Sequence, residues 1–130
     1  MFNTRILIVD DMSSMRGVIK MFLTEGGFHN LTEASNGQTA LSLLKTQKFD
    51  LVICDWDMPG MTGLELLEQM KKEENLMKIP FIMLTATSRQ EKVQKAIELG
   101  VNDYISKPFQ PQRLLGKLVK IINITGTAQK

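Results

Sequence analysis

Residues 51–85, LVICDWDMPGMTGLELLEQMKKEENLMKIPFIMLT, contain two continuous apolar runs, Leu51-Val52-Ile53-Cys54 and Phe81-Ile82-Met83-Leu84. Neither run alternates with polar residues, which predicts strands covered on both faces, as in a parallel sheet. Between them Leu64, Leu67 and Met70 recur at helical spacing. Thr62 and Glu65 stand three apart ahead of that segment, the spacing of a capping box. Strand, helix and apolar strand in succession predict a right-handed crossover unit.

The same alternation continues on both sides. Ile6-Leu7-Ile8-Val9, Leu31 to Ala34, and Tyr104-Ile105 read as further strands. Met15, Val18, Ile19 and Phe22 follow i, i+3, i+4, i+7, and Gly26-Gly27 predicts where that helix stops. Asn36 is placed to cap a helix carrying Ala40, Leu41 and Leu44 inward. Ser88 and Glu91 repeat the capping-box spacing before Val93, Ala96 and Ile97, with Gly100 as the stop. Pro111 opens a last helix bearing Leu114, Leu115, Leu118, Ile121 and Ile122. Five strand–helix units with short connections, no internal repeat and no low-complexity linker make a (βα)5 chain. Two-sided burial and right-handed crossovers predict an α/β, doubly wound, parallel sheet. One domain is expected over residues 1–124, followed by a short C-terminal tail over 125–130.

Composition narrows the function classes. The chain of 130 residues is 43% hydrophobic and carries a net charge of +2, which suits one domain with a real core and argues against disorder. No apolar run nears the ~20 residues that span a bilayer. The opening Met1 to Asp10 lacks the pattern of a signal peptide. The single cysteine, Cys54, has no partner for an internal disulfide. A soluble, cytoplasmic monomer with no membrane contact is therefore expected. The mean charge conceals an asymmetry: residues 1–88 hold 8 basic and 11 acidic side chains, residues 89–130 hold 8 and 3, giving −3 and +5. Neither half is basic enough for bulk nucleic-acid binding, but the split predicts different partners at two ends of one domain.

In a doubly wound sheet, ligands bind beyond the carboxyl ends of the strands. Asp10-Asp11 follow the first strand, and Asp55 ends the third ahead of Trp56-Asp57-Met58-Pro59-Gly60. Thr85-Ala86 follow the fourth, and Lys107-Pro108-Phe109 the fifth. No glycine-rich phosphate loop follows the first strand, which argues against a nucleotide site. Carboxylates converging from separate strand ends repel one another unless a cation joins them. Oxygen-only ligation, with room for water and phosphate oxygens, is the pattern of Mg2+. A Thr85 hydroxyl and a Lys107 ammonium are what a phosphoryl group needs around its remaining oxygens. Nucleophile, metal, hydroxyl and cation together point to phosphoryl transfer through an aspartyl phosphate. Taken singly, a strand-end Asp is a turn residue, Lys107 a solvated lysine and Thr85 a cap. Their coincidence at one sheet edge favours the joint reading.

Asp10-Asp11, Asp55-Trp56-Asp57-Met58-Pro59 with Gly63-Leu64-Glu65-Leu66-Leu67, Leu84-Thr85-Ala86, and Tyr104 with Lys107-Pro108-Phe109 resemble the receiver domain of response regulators. The resemblance covers residues 4–123 and is strongest to the single-domain chemotaxis regulators. It implies a flavodoxin-like sheet of order 2-1-3-4-5. It also implies that Asp55 accepts a phosphoryl group from a histidine kinase. Asp10 and Asp11 would hold Mg2+ together with Asp55 and the backbone carbonyl of Asp57. Lys107 would pair with the phosphoryl oxygens, Thr85 would turn to hydrogen-bond them, and the Lys107–Pro108 peptide would be cis. Tyr104 would then rotate into the space Thr85 leaves, coupling the site to the face of the fourth helix, fifth strand and fifth helix. Such a protein is a switch and not a conventional enzyme, catalysing only its own phosphorylation and dephosphorylation.

Basic residues mark that face. Arg89, Lys92 and Lys95 recur on the fourth helix, and Arg113, Lys117 and Lys120 on the fifth. A solvated face is the plain reading; a dock for an acidic peptide is the sharper one. The resemblance implies the flagellar motor switch protein as target and a phosphatase as a further partner. Two departures from the chemotaxis pattern bear on phosphoryl lifetime: Asp57 stands where those relatives carry Asn, and Thr87 where they carry an acid. Thr62 replaces a common Asp and keeps its capping chemistry. Three other readings compete: a phosphorelay intermediate or adaptor outside motility, a haloacid-dehalogenase-type phosphatase built on Asp55-x-Asp57, and a purely structural binding module. Trp56, beside the expected phosphoacceptor, is a natural fluorescence reporter. Cys54 reads as a small hydrophobe, and His29 receives no role.

Overall fold

Strands and helices alternate along the chain in a computed structural model that describes the backbone of residues 2–86 and 90–125 and the side chains of residues 3–86 and 94–123. In order they are β1 (Phe2–Val9), α1 (Ser13–Glu25), β2 (Phe28–Ala34), α2 (Gly37–Thr46), β3 (Leu51–Asp55), α3 (Gly63–Lys71), β4 (Phe81–Thr85), α4 (Gln90–Glu98), β5 (Asp103–Ser106) and α5 (Pro111–Thr125). The strands form one parallel sheet of order β2-β1-β3-β4-β5, the order that the resemblance implied.

Continuous apolar runs form the central strands because successive side chains point to opposite faces, and here both faces are covered. Ile6, Ile8, Leu51, Ile53, Ile82 and Leu84 pack with Ile19 and Leu23 of α1 and with Leu114 and Leu118 of α5. Leu7, Val9, Val52, Cys54, Phe81 and Met83 pack on the other side with α2, α3 and α4, through Ala40, Leu44, Leu66, Leu67, Met70 and Ala96. Every residue of β3 and β4 is buried. Edge strand β2 is buried only at Phe28 and Ala34.

Two of the expected helix caps form, while the Ser88–Glu91 capping box lies outside the described residues. Asn36 Oδ1 accepts the Thr39 N–H at 2.8 Å. Both halves of the capping box form, with the Glu65 N–H donating to Thr62 Oγ1 at 3.2 Å and the Thr62 N–H to Glu65 Oε1 at 3.0 Å. Gly26 ends α1 against Leu115 of α5, whose side chain would have to shift to admit a Cβ there. Gly100, after α4, has a φ of 89°, which suits the residue without a side chain.

Three expected helix faces are rotated. In α1 the buried pair is Ile19 and Leu23, leaving Val18 37% exposed. In α3, Leu66 joins Leu67 and Met70 in the core while Leu64 is half-buried. In α4, Ala96 is buried and Ile97 is 51% exposed. A short apolar pattern is compatible with more than one rotation, and contact with the sheet selects among them. Strand β1 also starts earlier than its apolar run, since Phe2 pairs with Phe28 and Thr4 is buried. Helix α5 continues to Thr125, one residue into the expected tail; residues 126–130 lie outside the described residues. No helix among the described residues is long and apolar enough to cross a membrane.

Candidate functional site

Strand register brings the chemistry-bearing residues to one edge. Val9 pairs with Cys54, so Asp10 emerges level with Asp55. Asp55 pairs with Leu84, and Thr85 with Ser106, so Thr85 and Lys107 follow at the same edge. The Lys107 N–H donates to the Thr85 carbonyl at 2.8 Å, and the Trp56 N–H to the Leu84 carbonyl at 2.8 Å. The Lys107–Pro108 peptide is cis, as the resemblance implied.

Asp10, Asp55 and Thr85 are buried, and Asp11 is exposed. Lys107 Nζ bridges the two buried acids, 2.9 Å from Asp55 Oδ1 and 3.2 Å from Asp10 Oδ2. Asp10 Oδ1 accepts the Met12 N–H at 3.0 Å. One carboxylate oxygen from each of Asp10, Asp11 and Asp55 lies within 4.8 Å of the others. Gly63 opens α3 directly beneath this edge: its N–H donates to the Trp56 carbonyl at 3.0 Å, and a Cβ on it would collide with the Asp55 carbonyl oxygen.

The cluster carries more negative charge than one ammonium can balance. Burial raises the Asp55 carboxyl above its ordinary value; Lys107 opposes that shift, while Asp10 and Asp57 add to it. Burial alone would lower the Lys107 ammonium, but Asp55 and Asp10 more than offset it and its pKa rises. Both shifts follow from one surplus of negative charge in a desolvated place. Three carboxylates facing one Lys leave a deficit of two positive charges, and an all-oxygen donor set at this spacing fits a hard divalent cation. Burial, with Asp55 and Asp10 close by, pushes the Cys54 thiol well above its ordinary value, which fits an inert side chain. Its Sγ lies 3.2 Å from the Asp55 carbonyl oxygen.

The expected output face is placed in part. Thr87 and Arg89 lie outside the described residues, as does the side chain of Lys92. Lys95, Arg113 and Lys120 are exposed, and Tyr104 is 37% exposed on β5. Lys117 is half-buried and engaged, with Nζ 2.9 Å from Asp103 Oδ2, while Asp103 Oδ1 accepts the Tyr104 N–H. The basic patch is therefore weaker than six unopposed charges would make it. His29 lines a groove of about 520 Å³ at the opposite edge of the sheet, together with Arg5, Asn30 and Lys48. Sequence inspection overlooked Arg16, whose Nη1 donates to the Asp10 carbonyl at 2.6 Å. Only its position six residues past Asp10, on the first helical turns, hinted at a contact.

Comparison with known proteins agrees with this geometry. The family model for the response regulator receiver domain matches residues 6–119. The chain is 47% identical over 119 residues to chemotaxis protein CheY-3 of Vibrio cholerae, covering 92% of each chain. It is 45% identical over 117 residues to chemotaxis protein CheY of Pseudomonas aeruginosa, covering 90% of this chain and 94% of that one. Two solved structures of Vibrio cholerae CheY4 superpose with TM-scores of 0.85 and 0.84 at 31% identity, covering 92% of this chain and 98% of those chains. The chain belongs to the response regulator receiver domain family, the signalling modules of two-component systems.

Proposed function

We propose that the protein is a phosphorylation-activated switch that takes a phosphoryl group from a histidine kinase onto Asp55. The observation that carries this reading is the bridge from Lys107 to Asp55 and Asp10 at an edge where three carboxylates converge. Asp55 Oδ attacks the phosphorus of the phosphohistidine, the P–N bond breaks, and the imidazole leaves with a proton from solvent. Asp10, Asp11 and Asp55, with the Asp57 backbone carbonyl, would hold Mg2+. When bound, that ion would neutralise the negative charge gathered at the site. Lys107, already 2.9 Å from Asp55, shifts its hydrogen bond onto a phosphoryl oxygen. Thr85, buried at the end of β4, turns its hydroxyl to another.

Phosphorylation adds close to two negative charges. The movement of Thr85 opens space beside β4, and Tyr104 rotates into it from its half-exposed position on β5. The α4–β5–α5 face, with Arg89, Lys92, Lys95, Arg113, Lys117 and Lys120, then binds an acidic target. The shift can only be as large as the difference in affinity between the two states. Similarity to chemotaxis proteins supports a flagellar motor switch protein as that target. A phosphatase that resets the switch is a further partner, and action as a cytoplasmic monomer fits the single domain.

Acetyl phosphate with Mg2+ tests the reading by intact mass and Trp56 fluorescence. One phosphoryl adduct, lost in Asp55→Asn, is expected. Sustained hydrolysis of unrelated phosphoesters would instead support a phosphatase. An acidic motor-switch peptide should bind more tightly in the presence of beryllofluoride; equal binding would point to a relay or adaptor.

A further inference from the structure

Asp10 is held at every polar atom. Its N–H donates to the Ala34 carbonyl at 3.1 Å, Oδ1 accepts from Met12 and Oδ2 from Lys107. Its carbonyl accepts from Arg16 Nη1 at 2.6 Å. The Arg16 side chain, 15% exposed, is itself fixed, with Nε 2.9 Å from Glu33 Oε1. Glu33 Oε2 also takes the Lys20 ammonium at 3.1 Å. Lys20 and Arg16 hold the Glu33 carboxyl below its ordinary value despite some desolvation, so it is ionised at neutral pH. Glu33 immediately precedes Ala34, so β2 grips the Asp10 peptide groups twice, directly through Ala34 and indirectly through Arg16.

We infer that Arg16, anchored by Glu33, is a positioning residue that aims Asp11 into the acidic cluster by fixing the Asp10–Asp11 peptide plane. A peptide unit is planar, so holding the Asp10 carbonyl also fixes the Asp11 nitrogen and Cα. Asp10 is buried and gripped by its own side chain, whereas Asp11 is exposed, and among the described residues no hydrogen bond or ion pair holds its side chain. The inference rests on the proposed metal site and adds to it a specific source of its geometry.

Charge and positioning predict opposite signs, which makes the idea testable. Arg16 is a cation close to a cation site, so by charge alone its removal should tighten Mg2+ binding. If it positions Asp11, removal should weaken binding, by about 10-fold, as for other groups that orient metal ligands. The experiment is Mg2+ titration of Trp56 fluorescence for wild type, Arg16→Met, Arg16→Lys and Glu33→Gln, with far-ultraviolet circular dichroism to check folding. Arg16→Lys keeps the charge but cannot bridge Glu33 and Asp10 with a planar fork. It should weaken binding in the same direction as Arg16→Met. Glu33→Gln should weaken binding in the same direction, because Arg16 then loses its anchor. Equal or tighter binding by folded Arg16→Met, wild-type affinity in Arg16→Lys, or failure of both Arg16 variants to fold overturns the inference. A wild-type protein with no Mg2+ response overturns the proposed metal site itself, and this inference with it.

Discussion

Replacing Asp55 with Asn should stabilise the protein when metal is absent, although it removes the group proposed to do the chemistry. With an effective dielectric of about 20, Lys107 at 2.9 Å attracts the Asp55 carboxylate by roughly 6 kcal/mol. Asp10, with an oxygen within 4.8 Å, repels it by at least ~3 kcal/mol, and exposed Asp11 adds a smaller, solvent-screened repulsion. The repulsions offset more than half of that attraction. Desolvation, several kcal/mol for a buried ion, therefore sets the sign, in line with the raised Asp55 pKa. An amide at this position fills the same space, still accepts from Lys107 and carries no charge. The expected gain is about 1–3 kcal/mol at neutral pH in EDTA, or roughly 3–5 °C in Tm per kcal/mol for a chain of this size. The pH dependence follows from the direction of the shift. A carboxyl whose folded pKa is raised contributes stability below its unfolded value of 3.8 and loses it as pH rises through the folded value. The advantage of Asn is thus full at neutral pH and fades as wild type protonates. Saturating Mg2+ should narrow or invert it, because wild type binds the ion more tightly. Urea unfolding followed by circular dichroism, with and without EDTA across that pH range, measures all three effects. A variant less stable than wild type at neutral pH without metal, or an advantage that persists unchanged into acid, would refute the balance of forces described.

Lys107→Met removes the ammonium shared by two buried acids and should cost about 3 kcal/mol at neutral pH without metal, less in acid, as read by urea unfolding. Gly63→Ala sets a Cβ against the Asp55 carbonyl, and against Trp56 Cα at 3.0 Å, so backbone must move. A loss of about 1–3 kcal/mol, with slower phosphorylation by acetyl phosphate, is expected in thermal unfolding and intact-mass time courses. Thr62→Ala breaks the capping box and should cost about 1 kcal/mol with no change in Mg2+ affinity. Asp57→Asn removes one of the charges that raise Asp55, so Asp55 should titrate lower. Mg2+ affinity and the decay of the phosphoryl adduct should both change, by calorimetry and by mass; constancy of both would remove Asp57 from any lifetime role.

Much of the architecture was written locally. Apolar runs such as Leu51 to Cys54, four residues long and without alternation, are short for a buried helix and fit strands with both faces covered, and Asn36 and Thr62 cap as their side-chain chemistry requires. The rotation of the helices was not legible, because Val18 and Ile97 satisfy a helical period as well as their buried neighbours do. Only contact with the sheet breaks that tie. The pairing of Lys117 with Asp103 is similarly invisible in sequence, since it joins α5 to β5 across a turn whose direction neither residue dictates.

Residue order already places Asp10, Asp55, Thr85 and Lys107 just past apolar strands, and hence at one sheet edge. Parallel strands run the same way, and their carboxyl ends must share a side. Which of these groups touch depends on how the strands and helices pack. The register sets Asp10 level with Asp55, Lys107 lands between them, and Arg16 reaches back from α1 to the Asp10 carbonyl. Those contacts span up to 97 residues of chain, and no local spacing encodes an approach of 3 Å across such a distance.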